Sequence, residues 1–203
     1  MADGKVTAPR VIGLILAGGE GRRMGYQNKG LVSLQEIPLV AHVIARIAPQ
    51  VDQLYISVNQ DLERYQEFNL PLIQDRQEWI GQGPLAGIAT LLPLLEDDDV
   101  LQVVSCDGPY IPQDLVTRLS VERAGDDVVY PRTEARAHYL YLQGRVAVLR
   151  EIEAFLALGD LRIRALLTHL GARAILFEDE TAFLNCNSMQ DIETVEGMLH
   201  EKL

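Results

Sequence analysis

Leu16-Ala17-Gly18-Gly19-Glu20-Gly21-Arg22-Arg23-Met24-Gly25 follows directly on the apolar run Val11-Ile12-Gly13-Leu14-Ile15. Residues 11–17 read as a buried strand, since apolar residues run there without a polar break. The strand opens into a loop that holds four glycines and two arginines. Glycine lets backbone approach a base or a phosphate with no Cβ in the way. Arg23 can meet phosphate oxygens with its fork, and Lys29 as a point charge. The loop is not a dinucleotide fingerprint, because Gly19 and Gly21 match but Met24 stands third. It is not a Walker A loop, because no Gly-Lys-Ser/Thr follows.

The bulk composition narrows what such a loop can serve. A chain of 203 residues, 48% hydrophobic, suits one domain with an ample core. We expect residues 1–10 to form a loose tail and residues 11–203 a single domain. No apolar run approaches the roughly 20 residues of a membrane span, and the N-terminus carries no apolar signal region. A cytoplasmic protein is the expectation. The formal net charge is -11, and sustained binding of a polynucleotide needs a basic face. A small phosphate ligand needs only a few local cations and N–H groups. Cys106 and Cys186 form neither a CxxC pair nor a zinc spacing and read as reduced, buried side chains lining a cleft.

Along the chain, helical and strand patterns alternate. Residues 38–47 carry apolar side chains at helical spacing, and 53–58 form a second strand. Residues 61–68 suggest a short helix capped by Asp61, 71–74 a third strand, and 83–95 an apolar helix with Pro84 in its first turn. The run Glu96-Asp97-Asp98-Asp99 reads as a solvated turn. Residues 100–104 are apolar enough for a central strand. A helix over 112–119, strands over 127–131 and 137–142, helices over 146–158 and 161–170, and a strand over 174–177 follow. Ser188, with Asp191 three residues on, opens a last helix over 188–199 in the manner of a capping box. This alternation predicts an α/β three-layer αβα sandwich, with helices on both faces of a mostly parallel, doubly wound sheet. Ligands then bind at the carboxyl ends of strands, near the reversal of strand order.

The polar residues just past the strands fit that expectation. Asn59, Asp75 and Asp107 each follow a strand. Read alone, Asp107 and Asp75 are also turn residues, and Asn187-Ser188 is also a helix cap. The order of the first loop, with Arg-Met-Gly and the later Lys29, resembles the nucleotidyltransferases that activate sugars and cofactors. Pro38-Leu39 with His42-Val43, Pro49-Gln50-Val51, Val58-Asn59, Gly83-Pro84-Leu85-Ala86-Gly87, Cys106-Asp107-Gly108-Pro109-Tyr110-Ile111-Pro112 and Asn185-x-Asn187 follow in order. Together, from about residue 11 to 195, they resemble the molybdenum cofactor guanylyltransferase family.

The resemblance implies a Rossmann-like nucleotidyltransferase fold with a GTP-binding N-terminal half and a molybdopterin-binding C-terminal half. It implies GMP transfer from GTP to molybdopterin, with release of pyrophosphate. Leu16, Ala17, Gly18, Gly19, Pro84 and Leu85 would hold the guanine, and Arg23 and Lys29 the triphosphate. Asp107 would bind Mg²⁺. Asn59 and Asp75 would reach base or ribose, and Asn185 and Asn187 complete the set. The partners implied are GTP, molybdopterin and, transiently, other proteins of molybdenum cofactor biosynthesis, with no nucleic acid and no membrane.

The chain departs from the family pattern at three places. Asn28 stands where Asp commonly precedes the loop lysine, Gly108 where Thr commonly follows the metal aspartate, and Tyr139 where Pro follows His138. Two rival readings stand beside the first. One is CMP transfer, or nucleotide transfer to a sugar or polyol phosphate, on the same fold. The other is a nucleotide-binding protein on a weakened transferase scaffold, motivated by Asn28 and Gly108.

Overall fold

The computed structural model of the chain describes residues 9–18, 28–123 and 127–200, with side chains through Gly197. The opening apolar run forms β1 (Val11–Leu16), and the loop lysine sits in a 3₁₀ turn, Lys29–Leu31. A small hairpin of β2 (Ser33–Leu34) and β3 (Ile37–Pro38) then leads into α1 (Leu39–Ile47). Leu39, Val40, Val43 and Ile47 of α1 recur on one face and are buried, as the helical spacing requires. The chain continues through β4 (Gln53–Ser57), α2 (Leu62–Gln66) and β5 (Leu72–Ile73) to α3 (Pro84–Leu91). Pro84 takes the first turn of α3, where its missing N–H costs nothing. Pro93 ends the regular helix in a 3₁₀ turn, Leu92–Leu94.

β6 (Val100–Ser105) is buried over its whole length. It is followed by α4 (Leu115–Arg123), β7 (Val128–Arg132), β8 (Gln143–Arg145), α5 (Val146–Leu149), α6 (Ile152–Ala157), α7 (Ile163–His169), β9 (Arg173–Leu176) and α8 (Met189–His200). The large sheet runs in the order β5-β4-β1-β6-β8-β7-β9. β1 pairs in parallel with both β4 and β6. β8 is inserted antiparallel between β6 and β7, and β7 pairs in parallel with β9.

Alternating residues of the strands feed two cores. Ile12 and Leu14 pack with Leu85 and Ile88 of α3 and with Ile152 and Leu166 on one face. Ile15 and Val104 pack with Val40 and Val43 of α1 and Leu115 and Leu119 of α4 on the other. Each such side chain removed from water contributes about 1.5–3 kcal/mol. The predicted layers, helices on both faces of a mostly parallel doubly wound sheet, are therefore what forms. Among the described residues no helix is long and apolar enough to cross a membrane.

Several local expectations are corrected. Residues 137–142 are not a strand; Tyr139–Tyr141 form a 3₁₀ turn and β8 begins at Gln143. The turn is closed by Tyr141 N–H donating to His138 O at 3.1 Å, and buried Gln102 of β6 anchors it, its Nε2 reaching the carbonyls of Tyr141 at 3.1 Å and Leu142 at 3.2 Å. Leu142 O also accepts from Val103 N–H at 2.8 Å, so the chain meets β6 as it leaves the turn. The helix expected over 146–158 is broken at Arg150–Glu151, where hydrogen bonds tighten, Glu151 N–H to Val148 O and Glu153 N–H to Arg150 O. The acidic run is not simply solvated. Asp99 is buried and takes a two-pronged bond from Arg10, and Asp97 accepts from Arg150. Arg10 is thus held to the domain rather than loose. Asp61 adopts left-handed backbone and makes no cap bond. Ser188 does cap α8, its Oγ accepting from Asp191 N–H at 3.2 Å while Asp191 accepts from Asn187 N–H.

A buried amide pair braces β8 where it is inserted between β6 and β7. Gln143 Nε2 donates to Gln102 Oε1 and to Val116 O, and its own Oε1 accepts from Ser120. Replacing one partner strands the others without water. Gln143→Leu is expected to lower unfolding free energy by about 1–3 kcal/mol in urea titration. Val121→Ser, at a site 69% exposed, should stay within about 0.5 kcal/mol.

Candidate active site

Strand order reverses beside β1. The chain steps outward from β1 to β4 and β5, then returns to place β6 on the other side. Crevices outside the carboxyl ends of strands at such a point bind ligands. A groove of about 440 Å³ lies there. Leu16 and Gly18 reach it from β1, Ser57 and Asn59 from β4, and Asp75 from β5. Ser105, Cys106 and Asp107 come from β6. Gly81 and the start of α3, through Gly83, Pro84 and Gly87, form another wall, and Lys29 and Leu140 complete the lining. α3 can lie this close only because Gly87 has no side chain. A Cβ there would stand 2.6 Å from Ser57 Oγ and 3.0 Å from Leu16 Cδ2.

Lys29 and Asp107 meet in the groove. Asp107 is buried, with Ser105 Oγ donating to its Oδ1 at 2.6 Å. Lys29 Nζ lies 3.4 Å from Asp107 Oδ2 and donates to Asn187 Oδ1 at 2.5 Å. An ammonium has three donors, and among the described residues two are used, which leaves one for a ligand. Asn187 comes from the start of α8, and Cys186 N–H donates to Asp107 O at 2.8 Å, which stitches that loop to the end of β6. Asn185 lies at the same seam, beyond the groove lining, and accepts from Tyr141 OH.

Asn59 and Asp75 form a second polar cluster. Asn59 Nδ2 donates to Asp75 Oδ2 at 2.7 Å, and Asp75 N–H donates back to Asn59 Oδ1 at 2.9 Å. Asp75 Oδ1 is buried and, among the described residues, has no hydrogen-bond partner. Burial raises the Asp75 carboxyl above its ordinary value, and the bond from Asn59 offsets part of that. An orphaned acceptor on a groove wall is a place for a ligand's N–H or O–H.

Of the residues expected from sequence, Leu16, Gly18, Lys29, Asn59, Asp75, Pro84 and Asp107 line one groove. Asn187 joins them through Lys29. The side chains of Ala17 and Leu85 are buried in the two cores, so neither offers a side-chain surface to the groove. Gly19 and Arg23 lie outside the described residues. Cys106 lines the groove as read, whereas Cys186 packs with Leu34 and Leu39 against α8. Burial pushes the Cys186 thiol up to about 12, with Asp107 and Asp191 adding to it and Lys29 opposing. Ser57, Ser105 and Leu140 were missed. Ser57 and Ser105 each close a strand at its carboxyl end, the one signal they offered. His138 is stacked on Phe183 with centroids 4.5 Å apart, and burial, then nearby Arg136, lowers it to about 4.

Asn28, where Asp was the expectation, is engaged by two side chains. Its Oδ1 accepts from the buried Tyr65 OH at 2.7 Å, and its Nδ2 donates to Asp61 Oδ2 at 3.2 Å. An aspartate would keep the first bond and set two carboxylates together in the second. Asn28→Asp should therefore lower the melting temperature by a loss of at most about 1 kcal/mol, and Asn28→Asp with Asp61→Asn should recover it. Equal melting of all three chains would contradict this role.

Comparison with known proteins agrees with the geometry. The family profile of the MobA-like NTP transferase domain matches residues 13–174. The molybdenum cofactor guanylyltransferase of Cereibacter sphaeroides is 38% identical over 194 residues, covering 95% of this chain and 98% of that protein. That of Polynucleobacter asymbioticus is 32% identical over 200 residues, covering 96% and 100%. Among solved structures, molybdopterin-guanine dinucleotide biosynthesis protein A from Archaeoglobus fulgidus has a TM-score of 0.77 at 22% identity, covering 94% of this chain and 99% of its own. That last likeness concerns the fold. The chain belongs to the MobA-like NTP transferase family.

Proposed function

We propose that this protein transfers GMP from GTP to molybdopterin and releases pyrophosphate, forming molybdopterin guanine dinucleotide. The observation that carries the reading is the convergence of Lys29, Asp107 and Asn187 at one end of a groove whose other wall holds Asp75. The names of the curated relatives supply the identity of donor and acceptor. Base or ribose donors meet the orphaned Asp75 Oδ1, beside Asn59 and the Pro84 turn. The triphosphate extends toward Lys29, whose remaining donor takes a phosphate oxygen.

The acceptor's terminal phosphate oxygen attacks the α-phosphorus of GTP. A new P–O bond forms, the bond to the β-phosphate oxygen breaks, and pyrophosphate leaves with that electron pair. The nucleophile is already an anion, so the protein contributes position and charge neutralisation more than proton transfer. Asp107 fits the residue that would hold Mg²⁺. Ser105 fixes one carboxylate oxygen, and the other already faces a cation, the Lys29 ammonium. Among the described residues no cluster of three or more metal-ligating side chains occurs. Mg²⁺ shares its shell with phosphate and water oxygens and needs only one or two protein carboxylates. When bound, the ion neutralises phosphate charge.

Pyrophosphate release with molybdopterin and each nucleoside triphosphate tests this directly. GTP should be used in preference to CTP and ATP; faster turnover with CTP would move the chain to cytidylyl transfer. Asp107→Ala should lower turnover on the order of a hundredfold or more with an intact fold. Lys29→Ala should weaken GTP binding roughly ten- to a hundredfold. Unchanged values for either variant would contradict its role, and tight GTP binding without product would favour the weakened scaffold.

A further inference from the structure

Gly108 directly follows Asp107, where the family pattern has Thr. Its place is not empty. A Cβ on Gly108 would collide with the hydroxyl of Tyr141, and Asn185 Oδ1 lies 3.6 Å from the same point. Tyr141 OH donates to that oxygen at 3.1 Å. The phenol thus occupies the volume that a side chain at 108 would fill, and bonds to the loop that faces it.

Tyr141 has little freedom to move away. It is 1% exposed, its ring stands edge-on to Phe183 with centroids 5.4 Å apart, and its N–H donates to His138 O. Its carbonyl accepts from buried Gln102. A rigid hydroxyl therefore sits at the seam where the end of β6 meets the 184–188 loop. Cys186 N–H to Asp107 O lies at the same seam. Among the described residues, Asn185 Nδ2 has no protein partner.

We propose that Tyr141 is a positioning residue for the acceptor side of the site. Its hydroxyl replaces the side chain that Gly108 lacks and holds the Asn185 oxygen, so that the Asn185 NH₂ is presented to the acceptor's polar groups beyond Asp107. The proposal rests on the guanylyl-transfer reading. It makes Gly108 and Tyr141 one unit: either residue alone is explained by the other, and the departure at 108 is compensated rather than lost.

The test is a cycle of Tyr141→Phe, Gly108→Thr and the double variant, in the full chain with GTP, Mg²⁺ and molybdopterin. Tyr141→Phe should lower kcat/KM for the acceptor roughly five- to tenfold, as for one lost hydrogen bond. GTP affinity by isothermal titration should stay within about twofold. Gly108→Thr alone should melt lower or fail to fold, because its side chain meets the phenol oxygen. The double variant should regain soluble yield and melting temperature, and recover acceptor kcat/KM above that of Tyr141→Phe, with the threonine hydroxyl in the vacated space. Full activity of Tyr141→Phe would overturn the positioning role. So would equal loss of GTP affinity, or a double variant no better than the worse single one. Wild type without turnover would instead overturn the transferase reading itself.

Discussion

β1 is gripped on both sides in level register, Leu16 opposite Ser57 of β4 and opposite Ser105 of β6. The grip continues past the strands, with Ala17 N–H donating to Ser57 O and Cys106 N–H donating to Leu16 O. Three carboxyl ends therefore stop at one height. Gly18, Asn59 and Asp107 stand on a common rim because of it. A slip of one residue would turn each strand over and carry Ile12 and Leu14 off their core. The two cores and the groove thus depend on the same ladder.

Charge makes each cation near the rim matter. With a formal net charge of -11, most of the surface repels a triphosphate. Lys29 supplies a local positive centre, held by Asp107 on one side and Asn187 on the other. The partners of Lys29 are 78 and 158 residues away in sequence, so the centre exists only once the whole sheet and α8 are in place. The opposite wall works differently. Asp75 is fixed through one oxygen and its own N–H by Asn59, and its second oxygen waits for a donor. One end of the groove suits anions and the other suits N–H or O–H groups, which is the polarity of a nucleotide.

The layers and the groove were legible because local pattern and tertiary need agree there. The unbroken apolar run of β1, and β6 with Gln102 as its one interior polar residue, suit strands buried on both faces, and polar residues placed at or just past strand ends fall on the rim by topology. What stayed hidden depended on distant partners. Gln102 reads as one polar residue in an apolar strand and Gln143 falls just past the expected strand over 137–142, yet the two pair in the core where β8 runs antiparallel to β6. The β2–β3 turn uses Gln35 and Glu36 in left-handed backbone instead of the Asn-Gly that signals such hairpins; Glu196 of α8 accepts from Gln35 N–H there. Asp99 resembles its acidic neighbours until Arg10 is seen against it. Leu85 sits in a site motif but points to the core, because the helix turns Pro84 to the groove and its neighbour inward.

The most direct measurement of this account is a crystal structure with a non-hydrolysable GTP analogue and Mg²⁺. The base is expected beside Asp75 and Pro84, with the phosphates running to Lys29 and Asp107. An analogue bound elsewhere, or seated in the groove with its phosphates clear of both residues, would contradict it.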